Sequence, residues 1–216
     1  MARPPRYDAA TLLDSALDLA ASGGPAAVTM AAVAKSAGAP SGSVYHRFAD
    51  RPALLSALWL RTLAGFHTGL LAALEGPEPR AAALAAARHT VEWSRAHPAE
   101  ARVLRYGPDD FGRASWPPHA TRLLREANAR AFSAVDSLAR RLGAGEPAKS
   151  PADGPADGPA EDPAAVERVR IAIVDLPYAL VQRHLREGAT VPEHALTAVE
   201  ECAAALLCAK HPDRTE

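Results

Sequence analysis

Apolar residues recur at three- and four-residue spacing through nearly the whole chain, and proline and glycine cut that pattern into helix-length pieces. No stretch alternates apolar and polar residues for long enough to suggest a strand, so the periodicity predicts an all-α fold. A low aromatic content of 5% and abundant alanine point the same way. With 216 residues, 48% apolar and 23% charged, the chain can close a core without disulfide or metal. Its formal charge of −1 excludes a polycation that coats nucleic acid indiscriminately.

In the first quarter, Leu13, Ala16, Leu17 and Ala20 share one face of a helix that starts at Asp8 and stops at Ser22-Gly23-Gly24-Pro25. Thr29 suits the N-cap of a short second helix ending near Ala37-Gly38. A third short helix follows Pro40. Asp50 caps a fourth, with Pro52 in its first turn, which runs to about Leu74 before Gly76-Pro77 breaks it. Helices are also predicted over Arg80 to Ala96, Glu100 to Tyr106 and Pro118 to Leu142, separated by His97-Pro98, Gly107-Pro108 and Trp116-Pro117-Pro118. Residues 145–163 differ in kind. They repeat Pro-Ala-Asp-Gly at 151–158, carry five acids against Lys149 and lack large apolar side chains, which predicts a flexible acidic loop.

Two helices follow, about Ala164 to Arg186 and Pro192 to Ala209. The first carries two apolar stripes: Val166, Val169, Ile173, Leu176 and Leu180, and then Ile171, Val174, Tyr178, Val181 and Leu185. On a regular helix these stripes lie about 140° apart. Two apolar faces require two partners: one can be the helix's own domain, and the other either a second subunit or, for a helix internal to a monomer, the rest of the same chain. The stripe from Val166 to Leu180, with Leu196, Val199, Ala203 and Leu206 of the last helix, is the candidate dimer surface. Pro177 is expected to kink the first helix. Cys202 and Cys208 are expected to be buried thiols in a reducing cytoplasm. Residues 1–8 have no signal-peptide apolar run and no 18-residue uninterrupted apolar segment occurs, so no membrane partner is expected.

The informative segment is Thr29 to Arg51. A helix-turn-helix needs a small residue where its helices meet, a turn residue tolerant of positive φ, and an apolar anchor under the second helix. Ala34, Gly38 and Val44 supply these in order. Val33 and Ala37 complete the inward face, while Ala32, Lys35 and Ser36 point outward. The second helix would expose Ser41, Gly42, Ser43, Tyr45, His46 and Arg47 around Val44 and Phe48. Small residues at its start permit close approach to bases or phosphates, and Tyr45, His46, Arg47 and Arg51 can donate to phosphate oxygens. Such three-helix units also serve as protein-binding modules, with Tyr45 and Phe48 then mostly core.

At these residues the chain resembles the TetR family of transcriptional regulators. The family signature stands here as Ser43-Val44-Tyr45-His46-Arg47-Phe48 followed by Asp50-Arg51-Pro52-Ala53-Leu54-Leu55. The likeness is strong over about Asp8 to Leu60 and architectural beyond. It implies an N-terminal DNA-binding domain (1–52) and a C-terminal effector-binding and dimerisation domain (53–216), acting as a cytoplasmic homodimer on a DNA operator. It also implies that Thr29, Ser41, Gly42, Ser43, Tyr45, His46, Arg47 and Arg51 form the DNA-facing set, with Ser41 to Ser43 toward bases. Two positions depart from the pattern: Ser41 stands where a lysine is common, and Arg47 replaces the usual histidine before Phe48.

The resemblance places a small-molecule effector cavity among the later helices, where Phe66, His67, His89, Trp93, Arg105, Tyr106, Trp116 and Phe132 are candidate lining residues. No HxxxH or CxxC spacing supports a metal, and no nucleophile elbow or glycine-rich phosphate loop supports catalysis or a cofactor. The leading expectation is an effector-released repressor on a palindromic operator. The alternative is a protein-interaction module of the same fold, or an activator.

Overall fold

The computed structural model describes residues 8–144 and 163–208. The described residues are helical throughout: α1 (Ala9–Ala27), α2 (Met30–Ser36), α3 (Ser41–Arg47), α4 (Arg51–Leu74), α5 (Pro79–Ala96), α6 (Pro98–Leu104), α7 (Pro118–Ala144), α8 (Pro163–Arg170), α9 (Leu176–Arg186) and α10 (His194–Cys208). A 3₁₀ turn at Arg113–Ser115 precedes α7, and a π-helical turn at Ile171–Asp175 joins α8 to α9. No strand occurs among the described residues. The acidic repeat lies outside them.

The helix starts follow local chemistry. Asp8 accepts from the Thr11 amide at 2.8 Å, Thr29 from the Ala32 amide at 3.0 Å, and Asp50 from the Ala53 amide at 2.8 Å. Each side chain satisfies an amide that the first turn leaves orphaned. Gly24 interrupts α1 with φ +70° and ψ −176°, a conformation reserved for glycine, and Pro25 begins one last turn. Gly38 adopts φ +62° after α2; its amide donates to Lys35 O and that of Ala39 to Ala34 O, the pair of bonds of a Schellman cap.

The described chain divides into two compact units, Met1–His67 with Ala96–Asn128, and Thr68–Arg95 with Ala129–Glu216. In the first, α1 packs on α2 and α6, and α2 on α3. Its core runs from Leu12, Ala16 and Val28 through Val33, Val44 and Phe48 to Leu54, Leu58, Trp59, Val103, Phe111 and Trp116. Arg61 on α4 pairs with Asp14 on α1 at 2.8 Å. α4 is apolar and long enough to cross a membrane by composition, but Leu54, Leu55, Leu58 and Leu63 are buried in this core.

In the second unit, alanines 82, 83, 86 and 87 form the buried face of α5. Gly69 lets His89 approach so closely that a Cβ there would collide with the imidazole. Glu78 accepts from the Arg80 amide at 3.0 Å and also from the Ala81 amide, and these bonds hold its carboxyl below the usual range. Arg141 donates to the carbonyls of Leu74, Gly76 and Pro77 at the end of α4.

The π turn revises the expected stripes. The Leu176 amide reaches back to Ile171 O, five residues away, and Pro177 offers no amide to the ladder. The buried apolar positions are Val169, Ala172, Ile173, Pro177, Val181 and Leu185, joining the first half of one stripe to the second half of the other, with Gln182 buried beside them. Val169, Ile173, Val199 and Ala203, expected at a dimer surface, are buried within the chain itself. Ile171 and Tyr178 are exposed instead. Cys202 and Cys208 are likewise exposed, not buried, because α10 turns Ala195, Val199 and Ala203 inward.

A Cβ on Gly38 would meet nothing within 4 Å, so only its dihedral resists substitution. Gly38→Ala should cost about 1 kcal/mol in denaturant unfolding, and Gly38→Asn less, since asparagine tolerates this region better.

Candidate nucleic-acid interface

The two short helices α2 and α3 meet across Gly38, as the spacing of Ala34, Gly38 and Val44 predicts. Val33 and Val44 are fully buried, Ala34 and Phe48 nearly so. That anchoring turns the rest of α3 outward. Tyr45 is 58% exposed, and Ser41, Gly42, His46 and Arg47 are exposed beside it, with Ser43 half-buried. Tyr45 is therefore a surface residue and Phe48 a core residue, which separates two aromatics that the sequence leaves ambiguous. Lys35 and Ser36 are exposed on α2, as expected of its outward face.

Thr29 is exposed, and its hydroxyl oxygen is engaged as the α2 cap. Asp8 lies within the electrostatic field of Arg47. Its carboxyl is held below the ordinary range, chiefly by the Thr11 amide and hydroxyl, with Arg47 a smaller contributor.

Arg51 has a position that sequence spacing does not reveal. Its Nε donates to Val28 O and its Nη2 to Pro25 O, both at 2.7 Å. The guanidinium thus covers two carbonyls at the end of α1: that of Val28, and that of Pro25, which also accepts from the Val28 amide at 3.2 Å. The first residue of α4 grips the corner between α1 and α2, and only its remaining N–H groups can meet a phosphate.

The eight candidate effector residues divide between the units. In the first, Trp116 is a core residue: it packs tilted on Trp59, ring centroids 6.0 Å apart, and donates to Phe111 O at 2.9 Å. Tyr106 packs edge-on against Phe111 and sits on α1. The guanidinium of Arg105 lies over the Tyr106 ring, 4.5 Å from its centroid, and donates to its hydroxyl at 2.6 Å. Phe66 and His67 are half-buried with their rings 6.0 Å apart. In the second unit, His89 rests on Gly69 and Trp93 is half-buried. Phe132 is 51% exposed beneath Arg170, so it does not line an interior. No group of three or more His, Cys, Asp or Glu among the described residues is arranged to hold a metal ion.

A buried scaffold that holds a short second helix outward, with an aromatic, a histidine and an arginine on its open face, forms a helix-turn-helix. Residues 12–58 match the family described as bacterial regulatory proteins, tetR family. The chain is also similar to a fatty acid degradation regulator, FadR, from Bacillus halodurans (TM-score 0.66, 13% identity, covering 94% of this chain and 100% of that one). FadR from Bacillus subtilis, in complex with stearoyl-CoA, superposes with TM-score 0.67 at 14% identity over 94% and 100% of the two chains. A tetR-family regulatory protein from Rhodococcus RHA1 gives 0.68 at 20% identity over 94% and 98%. No curated protein matches the chain in sequence. Residues 12–58 thus match the N-terminal module of the tetR family, and the chain as a whole has the fold of these structural neighbours.

Because Arg51 holds the α1–α2 corner, Arg51→Ala should lower stability by about 1 kcal/mol, an estimate for charge-assisted hydrogen bonds at a partly exposed site. Arg51→Lys should recover only part of this, since an ammonium cannot span both carbonyls as a fork. Thermal melts of the three proteins without DNA check both statements.

Proposed function

We propose that this chain is a cytoplasmic transcriptional regulator that binds a palindromic DNA operator as a homodimer and is released from it by a small-molecule effector. The observation that carries the reading is the exposed Tyr45-His46-Arg47 face of α3 over buried Val44 and Phe48. In this reading residues 1–52 form the reading head and 53–216 the sensing and dimerisation body. Each α3 enters a major groove, Ser41, Gly42 and Ser43 approach base edges, and Tyr45, His46 and Arg47 hold phosphates. Thr29 and Arg51 act mainly by fixing α2 and the α1–α2 corner. The effector favours a dimer whose heads no longer match the operator spacing, a shift in population rather than a blocked surface.

The fatty acid degradation regulator and the stearoyl-CoA complex among the structural neighbours make a long-chain acyl-CoA the first effector to try. Gel shifts on the promoter nearest the chain's own gene, across a salt series and with stearoyl-CoA added, test the reading. Arg47→Ala should weaken binding to every sequence and reduce the slope of log K against log salt by about one. Ser43→Ala should alter sequence preference without that change in slope. A stable dimer with no site-specific shift would instead favour a protein-interaction module, which the near-neutral head supports: residues 1–51 hold five basic groups against four acids.

The dimer surface in this reading is the apolar face left open on the second unit, with Phe132 on α7, Ile171 in the π turn and Tyr178 on α9. Tyr178 is 49% exposed, and partial burial already raises its phenol above the ordinary value. Covering it with a second copy removes apolar surface from water. Tyr178→Glu should yield a folded monomer by sedimentation, whereas Ile173→Asp, at a fully buried position, should unfold the chain.

A further inference from the structure

The end of α6 meets α1 at the one place where α1 is not helical. Gly24 is buried, with φ +70° and ψ −176°. A Cβ built on it would lie 2.8 Å from the Tyr106 hydroxyl oxygen and 3.3 Å from Cζ. The phenol therefore occupies the space that any other residue at 24 would fill. Its hydroxyl is held by Arg105, which donates at 2.6 Å, and its backbone carbonyl accepts from Trp59 Nε1 at 3.5 Å. Four residues beyond Gly24 the same corner is gripped by Arg51 through Pro25 O and Val28 O, and Thr29 then starts α2. The corner feeding the reading helices is thus fixed by Tyr106, just past the end of α6, and by Arg51 from α4, all within one compact unit.

We propose that Tyr106 is a positioning residue for DNA recognition: seated on the glycine kink of α1, it sets the angle at which α2 and α3 leave α1, without itself touching DNA. This rests on the reading of α3 as the DNA-contacting helix. Arg105 orients the phenol, and Gly24 has two reasons to be glycine, its dihedral and the ring above it. A loosened corner lets the head sample several angles. Electrostatic attraction to phosphates survives that freedom, whereas base contacts, which need a fixed register, do not.

The test compares two duplexes, one selected from a random pool by the unaltered protein and one of mixed sequence, each titrated across a salt series. Tyr106→Leu, too short to reach the kink yet apolar enough for the core, should lower the ratio of selected to mixed affinity on the order of tenfold, with the salt slope unchanged. Tyr106→Phe keeps the ring on Gly24 and should retain most of the ratio. A merely destabilised protein loses active fraction equally on both duplexes, so its ratio stays constant. Folded Tyr106→Leu with an unchanged ratio overturns the proposal, as does an equal loss in Tyr106→Leu and Tyr106→Phe. If Tyr106→Leu does not fold, Gly24→Ala, which forces the ring off the kink from the other side, must show the same selective loss or the proposal fails. Arg47→Ala is the internal control. If it leaves affinity and salt slope on both duplexes untouched, the assignment of α3 to DNA has failed, independently of Tyr106.

Discussion

The head depends on one fork of hydrogen bonds: Arg51, the first residue of α4, donating to two carbonyls at the end of α1. α2 and α3 have seven residues each, well below the length at which a helix persists alone in water. They exist because the chain on either side of them is held. The fork ties Val28 to Arg51, 23 positions apart, and the buried Val33, Val44 and Phe48 fill the interior of the segment between them. The same device recurs elsewhere: Arg141 covers the last carbonyls of α4, and Arg95 donates to Val191 O at 2.6 Å. Arginine suits this task because its planar fork spans neighbouring acceptors and remains charged at any working pH.

Much of this fold is legible in the sequence because its instructions are local. Asp8, Thr29 and Asp50 each cap the helix that begins beside them, and Gly38 takes the positive φ that ends α2. The outward face of α3 follows from the placement of Val44 and Phe48. Arg51 is different: its partners lie more than twenty residues back, so its sequence position beside the reading helix suggested a phosphate contact. Tyr106 likewise reads as a pocket aromatic until its seat on Gly24 is seen.

The C-terminal stripes failed for a geometric reason. A regular helix assigns Leu176 and Leu180 to the same face as Ile173, but the wider turn before Pro177 moves Val181 and Leu185 inward in their place. Sequence periodicity assumes a constant angle per residue, and one π turn breaks that assumption. The exposure of Cys202 and Cys208 has a related origin, since α10 buries a narrow strip of Ala195, Val199 and Ala203 and leaves its flanks open. Near-neutral total charge carries little information in the proposed reading, in which recognition depends on where a few side chains stand.

The π turn acts as a phase shifter along an otherwise continuous helical axis. Residues before Ile171 and after Asp175 answer to different rotational settings, so the two halves of one element can be fitted to their neighbours separately. Deleting a single residue within the turn would restore the regular ladder and leave everything beyond in its present setting, because a regular turn with one residue fewer reaches the same phase. Val181 and Leu185 would swing out of the core only if the turn became regular at its present length, which would rotate both by about 100°. Length and winding in this short stretch are therefore coupled, and related chains one residue shorter here should carry a regular turn in place of the π turn.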